Sequence, residues 1–180
     1  MKNILILTGS ARTNGNSELM ADAFTKGATQ NGHQVTKFRT AIKNIKGCFA
    51  CDRCWTKGRA CAIDDDFQEL QPLLEAADVL VLATPLYWFN MSSHLKAVID
   101  KFYAYSSKGK SLNIKESAFL ICGEDSDLKI FNGAVETYKN IVNYLNITDR
   151  GIIIAPGVCA KGDIKKTDLL EKIENLGTQI

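Results

Sequence analysis

Residues 4–24 read "ILILTGSARTNGNSELMADAF", and three local patterns meet in them. Ile4, Leu5, Ile6 and Leu7 form an apolar run that does not alternate with polar residues, as a strand buried on both faces of a sheet does. The stretch from Thr8 to Ser17 then carries two glycines, four hydroxyl residues, two asparagines and one arginine. Beyond it, Leu19, Met20, Ala23, Phe24 and Gly27 recur at helical spacing after an Asn16–Ser17 start. A buried strand, a polar turn and an amphipathic helix in this order open a βαβ unit.

The same alternation continues along the chain. "DVLVLAT" (78–84), "AFLICG" (118–123) and "IIIAP" (152–156) repeat the unalternated apolar run, and "HQVTKF" (33–38) reads as a more polar strand nearer an edge. Helical stripes lie at Leu95, Val98, Ile99 and Phe102, with Ser92 or Ser93 as N-cap. Others lie at Val135, Tyr138, Val142 and Leu145, and at Leu169, Leu170, Ile173 and Leu176. The fold class is therefore α/β: a doubly wound, five-stranded parallel sheet with helices on both faces. Residues 43–66, between the second and third strands, interrupt the pattern with a cysteine-rich segment.

The chain-wide numbers set bounds. A length of 180 residues with 46% apolar content suits one domain over 1–180, and 22 basic against 20 acidic residues leave a net charge of +2. The basic residues are scattered, so no nucleic-acid partner is expected. No membrane partner is expected either, because the first apolar run is too short for a leader or a span. A cytoplasmic location follows, in which the six cysteines point to metal, redox chemistry or inert burial rather than disulfides.

In an open parallel sheet, ligands bind beyond the carboxyl ends of the strands. The first such loop, "TGSARTNGNS" (8–17), suits an anion: it offers free N–H groups, short donors and a helix N-terminus. An ordinary polar turn has a similar composition. It lacks the lysine of a P-loop and the G-x-G-x-x-G of a dinucleotide loop. Hydroxyls and amides around one arginine suit a terminal phosphate monoester. A phosphatase nucleophile would be a cysteine in this loop, and a receiver domain would place an aspartate at Thr84; neither is present. The loop after the third strand, within "TPLYWFNMSSHLKAVID" (84–100), sets Tyr87, Trp88 and Phe89 in a row. Three consecutive aromatics cannot all face a core, so some face outward, toward a flat ligand or a subunit contact.

Together, "GSARTNGNS" and "ATPLYWFNMSSHLKAVIDKF" resemble the NADPH-dependent FMN reductase family of flavodoxin-like proteins over roughly residues 2–160. The resemblance implies strand order 2-1-3-4-5. It implies an FMN phosphate held by Ser10, Arg12, Asn16 and Ser17, and the flavin ring and ribityl chain at Pro85, Leu86, Tyr87, Trp88 and Phe89. Gly123 and Glu124, with Cys122 beside them, would wall the other edge. It further implies electrons taken from NAD(P)H, passed to a small-molecule acceptor (quinone, nitro compound or flavin), and a homodimer or tetramer. No residue is expected to act as a catalytic acid or base, and His94 and His33 receive no chemical role.

The cysteines are spaced C-x2-C-x2-C-x6-C at Cys48, Cys51, Cys54 and Cys61. Zinc knuckles separate their pairs more widely, whereas iron–sulfur ligand runs are this compact. The run, and the acidic "CAIDDDF" after it, resemble the iron–sulfur flavoprotein branch of the same family. That likeness implies a [4Fe–4S] cluster on these four thiols and a ferredoxin-like partner. Zinc, free thiols and one redox-active pair stay open beside it. Cys122 and Cys159 are expected to be small buried hydrophobes.

Overall fold

A computed structural model describes residues 1–180. Five parallel strands form the sheet: β1 (Asn3–Thr8), β2 (Gln34–Arg39), β3 (Val79–Tyr87), β5 (Glu116–Cys122) and β6 (Thr148–Ala155). Their order is β2-β1-β3-β5-β6, and the two-residue strand β4 (Asn90–Met91) pairs antiparallel with β3. Leaving out β4, this is the expected 2-1-3-4-5 order. The polar strand β2 does lie at an edge, and β6 closes the other.

Apolar residues pointing alternately up and down explain why the sheet must be covered twice. Leu5, Leu7, Leu80, Leu82, Phe119 and Ile121 face one core. That core is completed by α2 (Phe67–Ala76), α3 (Ser93–Asp100), α4 (Tyr103–Ser106) and α5 (Asn132–Tyr144). Ile4, Ile6, Val79, Val81, Ala118 and Leu120 face the other, under α1 (Asn16–Gln30) and α6 (Leu169–Thr178). The last two helices meet backbone to backbone. A Cβ added at Gly27 would come 1.9 Å from the Glu174 carbonyl, and one at Gly177 would come 2.4 Å from that of Phe24. No helix is long and apolar enough to cross a membrane.

Two elements differ from the sequence reading. Helix α2 follows directly on the cysteine-rich segment; Phe67, Leu70 and Leu74 make its buried stripe, which the internal Pro72 and the preceding acidic run mask. Asp66 is its N-cap, and the carboxylate of Asp65 just before it accepts from the Phe67 N–H at 3.1 Å. Strand β3 also runs on to Tyr87, so Pro85, Leu86 and Tyr87 belong to the strand rather than to a loop. Ser92, not Ser93, caps α3 by accepting from the Leu95 N–H at 3.4 Å.

One buried ion pair ties these parts together. The side chains of Lys101 and Asp65 are 1% and 0% exposed and touch each other. Asp65 also accepts from the Lys46 N–H at 2.9 Å, and the Lys101 ammonium lies 5.1 Å from the Phe67 ring centroid. The pair thus fastens both ends of the 46–65 segment to the turn after α3. Replacing Asp65→Ala strands a buried ammonium and should lower unfolding stability by about 3–5 kcal/mol in urea titration. The double replacement Asp65→Leu with Lys101→Met should recover most of that loss.

Candidate functional site

The carboxyl ends of β1, β3 and β5 open into a cleft of about 1030 Å³. Its position follows from the topology, since the strand order reverses beside β1 and the connections diverge there. Gly9 lets the first loop lie against β3 and α3: its N–H donates to the Ala83 carbonyl at 2.8 Å, and a Cβ there would sit 2.4 Å from Ser92 Oγ. The loop then closes on itself. Ser10 Oγ accepts from the Arg12 N–H at 3.1 Å, and the Gly15 N–H donates to the Arg12 carbonyl at 3.1 Å.

Ser10 and Ser17 are buried at the floor of this end and Arg12 is exposed at its rim, all lining the cleft. Gly15 is the N-cap of α1 and supplies no side-chain bond to the helix, so the first N–H groups remain available to an anion. None of the chain's ion pairs uses Arg12. Asn16 also lines the cleft, but its amide is committed elsewhere. Its Nδ2 donates to the Ala160 carbonyl at 3.0 Å, and its Oδ1 accepts from the Gly162 N–H at 3.0 Å. It shapes the cleft rather than offering a free donor.

At the other end Pro85, Leu86 and Tyr87 lead into a two-residue hairpin turn, Trp88–Phe89, between β3 and β4. Both turn residues are left-handed, with φ of 46° and 64°. Asn–Gly normally occupies such turns, because bulky side chains are strained there. The hairpin is nevertheless held firmly. Asn90 Nδ2 donates to Thr137 Oγ1 at 3.2 Å, and the Phe89 carbonyl lies so close to α5 that a Cβ at Gly133 would approach it to 2.8 Å. Tyr87, Trp88 and Phe89 are 49%, 92% and 58% exposed, the outward aromatics expected from the sequence.

Gly123 and Glu124 form part of the third wall, with Cys122 and Cys159. Burial pushes the Cys122 thiol up to about 12, so it stays neutral and inert. Cys159, in contrast to the expectation, is exposed, because the chain leaves the sheet at Ala155 and the loop beyond it faces the cleft. Its thiol donates to Glu124 Oε2 at 3.3 Å. That hydrogen bond and the carboxylate's charge raise its pKa, while Arg12 acts in the opposite sense. Arg12, Glu124 and Cys159 therefore share one corner.

The sequence matches the family described as NADPH-dependent FMN reductase over residues 2–145. The chain belongs to that family. It is 37% identical over 108 residues to an iron–sulfur flavoprotein of Archaeoglobus fulgidus, covering 60% of this chain and 48% of that one. An iron–sulfur flavoprotein of Methanocaldococcus jannaschii is 25% identical, covering 98% and 94% of the two chains. Among solved structures, an NAD(P)H:quinone oxidoreductase from Methanothermobacter marburgensis superposes with a TM-score of 0.75 at 18% identity, over 99% of this chain and 95% of that one. As in the family, FMN is the cofactor and NAD(P)H the electron source. The cleft fits that cofactor: buried hydroxyls, an uncapped helix N-terminus and an unpaired guanidinium at one end, exposed aromatics at the other.

In this FMN reductase family member, Trp55 gives the cysteine-rich segment a second anchor beside the Asp65–Lys101 pair. Trp55 Nε1 donates to the Ala104 carbonyl at 2.8 Å. Its ring meets Tyr105 edge-on at 5.7 Å, and Lys110 caps it at 4.0 Å. Cys54 and Cys61 pack against the core beside it, while Cys48, Cys51 and Phe49 are exposed. No three His, Cys, Asp or Glu side chains are grouped to hold a metal ion in this conformation. The thiols as placed do not fit a cluster, and holding one would require the 48–53 tip to fold inward.

The hairpin yields a direct test. Replacing Trp88→Asn with Phe89→Gly removes two bulky residues from left-handed backbone and should raise stability by about 1–2 kcal/mol. The same change should weaken FMN retention. Thermal melts and flavin titration on one preparation measure both.

Proposed function

We propose that the chain acts as one FMN-binding domain that takes a hydride from NAD(P)H and passes electrons to a small acceptor such as a quinone, nitro compound or flavin. The observation that carries this reading is the single cleft with an anion-seeking floor and an aromatic rim. FMN, when bound, supplies the capacity to accept two electrons as hydride and release them singly or together. Ser10, Arg12, Ser17 and the start of α1 hold its phosphate. Strand residues Pro85 to Tyr87 and the Trp88–Phe89 turn position its ring, and Gly123 and Glu124 border the remaining edge. No side chain in the cleft is required as acid or base for that exchange. The exposed aromatic turn also suits burial by a second copy of the chain, giving a homodimer or a pair of dimers in the cytoplasm.

Arg12→Ala combined with Ser17→Ala removes a charge-assisted contact and a hydroxyl donor. FMN affinity should fall at least roughly tenfold, or about 1.4 kcal/mol, with the circular dichroism spectrum unchanged. A double variant that purifies with full flavin would sink the phosphate assignment.

A second reading is favoured by the C-x2-C-x2-C-x6-C run and by the names of the relatives above. In it, Cys48, Cys51, Cys54 and Cys61 gather around a [4Fe–4S] cluster, and the protein relays electrons to a ferredoxin-like partner. Iron and acid-labile sulfide measured after anaerobic purification and reconstitution separate the two. Near-zero content leaves the FMN reductase alone, and about four of each per chain establishes the cluster.

A further inference from the structure

We propose that Lys161 is a second cation for the phosphate monoester in the cleft, and that Asn16 is the strut that suspends it there. The inference rests on the FMN reading above. Lys161 lines the same cleft as Ser10, Arg12 and Ser17, although it comes from the loop after β6, at the far end of the chain. What brings it there is the first residue of α1. Asn16, 9% exposed, donates from Nδ2 to the carbonyls of Val158 at 3.5 Å and Ala160 at 3.0 Å. Its Oδ1 accepts from the N–H groups of Gly162 at 3.0 Å and Ile164 at 3.3 Å. Ala160 and Gly162 bracket Lys161, so one buried amide fixes the backbone on both sides of it.

The charges around the cleft explain why a second cation is needed. A phosphate monoester carries about −1.5 to −2 charges at neutral pH, and the single guanidinium of Arg12 cannot balance it. Glu124 and Asp125 line the same cleft and add negative charge, and the cleft's other lysine, Lys96, is already paired with Asp100. Asp163, the carboxylate nearest Lys161 in sequence, is already occupied: it accepts from the Ala160 N–H at 2.7 Å and pairs with Lys166 at 2.7 Å. Lys161 has no carboxylate partner among the chain's ion pairs, and its ammonium stays free for an anion. Because Asn16 belongs to α1, the helix N-terminus and the lysine loop move as one body.

Fluorescence titration of the full-length, flavin-stripped chain with FMN, and separately with riboflavin, tests this. Lys161→Ala should weaken FMN about tenfold while leaving riboflavin, which has no phosphate, within about twofold, and Lys161→Arg should restore FMN binding. Asn16→Ala should reproduce the phosphate-selective loss, and adding Lys161→Ala to it should weaken FMN no further. Unchanged FMN affinity in Lys161→Ala, or an equal loss for riboflavin, would overturn the lysine's role. Additive losses would overturn the strut. A wild-type chain that binds neither flavin would overturn the cofactor reading itself, a different outcome from any of these.

Discussion

The sheet is apolar on both faces, and everything else in the molecule answers to that. Ile4 and Ile6 point one way while Leu5 and Leu7 point the other, so neither face can be left to water and helices must cover both. Once both faces are covered, only the ends of the strands are free to bind anything. The close approach of Gly9 to β3 and α3 draws the first loop tight across that end. The cleft is what remains between this loop, the hairpin after β3 and the turn after β5.

Strength at the cleft is distributed unevenly. The end formed by the first loop rests on buried Ser10, Asn16 and Ser17 with Arg12 exposed at its rim, and the aromatic end is made of exposed residues in left-handed backbone. Trp88 and Phe89 could relax only if the hairpin detached from α5, and Asn90 and the packing at Gly133 prevent it. Stored strain at the rim is thus opposed by contacts behind it. A rigid floor with a projecting rim suits a cofactor that stays and partners that come and go.

Much of this was legible in the sequence, for reasons that differ by element. Unalternated runs such as "DVLVLAT" announce buried strands because burial on both faces removes every polar residue. Helix α2 escaped notice because Pro72 breaks its pattern and its stripe is only three residues long. The reach of β3 to Tyr87 was hidden by Pro85, which is tolerated because the strand is leaving the sheet there. Asn16 lines the cleft, but its bonds were not readable, since its four partners lie at 158–164 and no local pattern reports a long-range bond. For the same reason Lys161 was missed and Cys159 was expected to be buried: a loop's direction after the last strand is set by what tethers it.

Trp55 has a consequence for how such proteins diversify. It docks the cysteine-rich segment on Ala104, Tyr105 and Lys110, while residues 48–53 project beyond that anchor and add nothing buried to the core. Stability and the chemistry of the thiol tip are therefore carried by separate residues. Substitutions in the exposed tip should cost folding little. Cys48 and Cys51 can therefore change with little effect on the domain beneath, whereas Cys54 and Cys61 are bound into its packing.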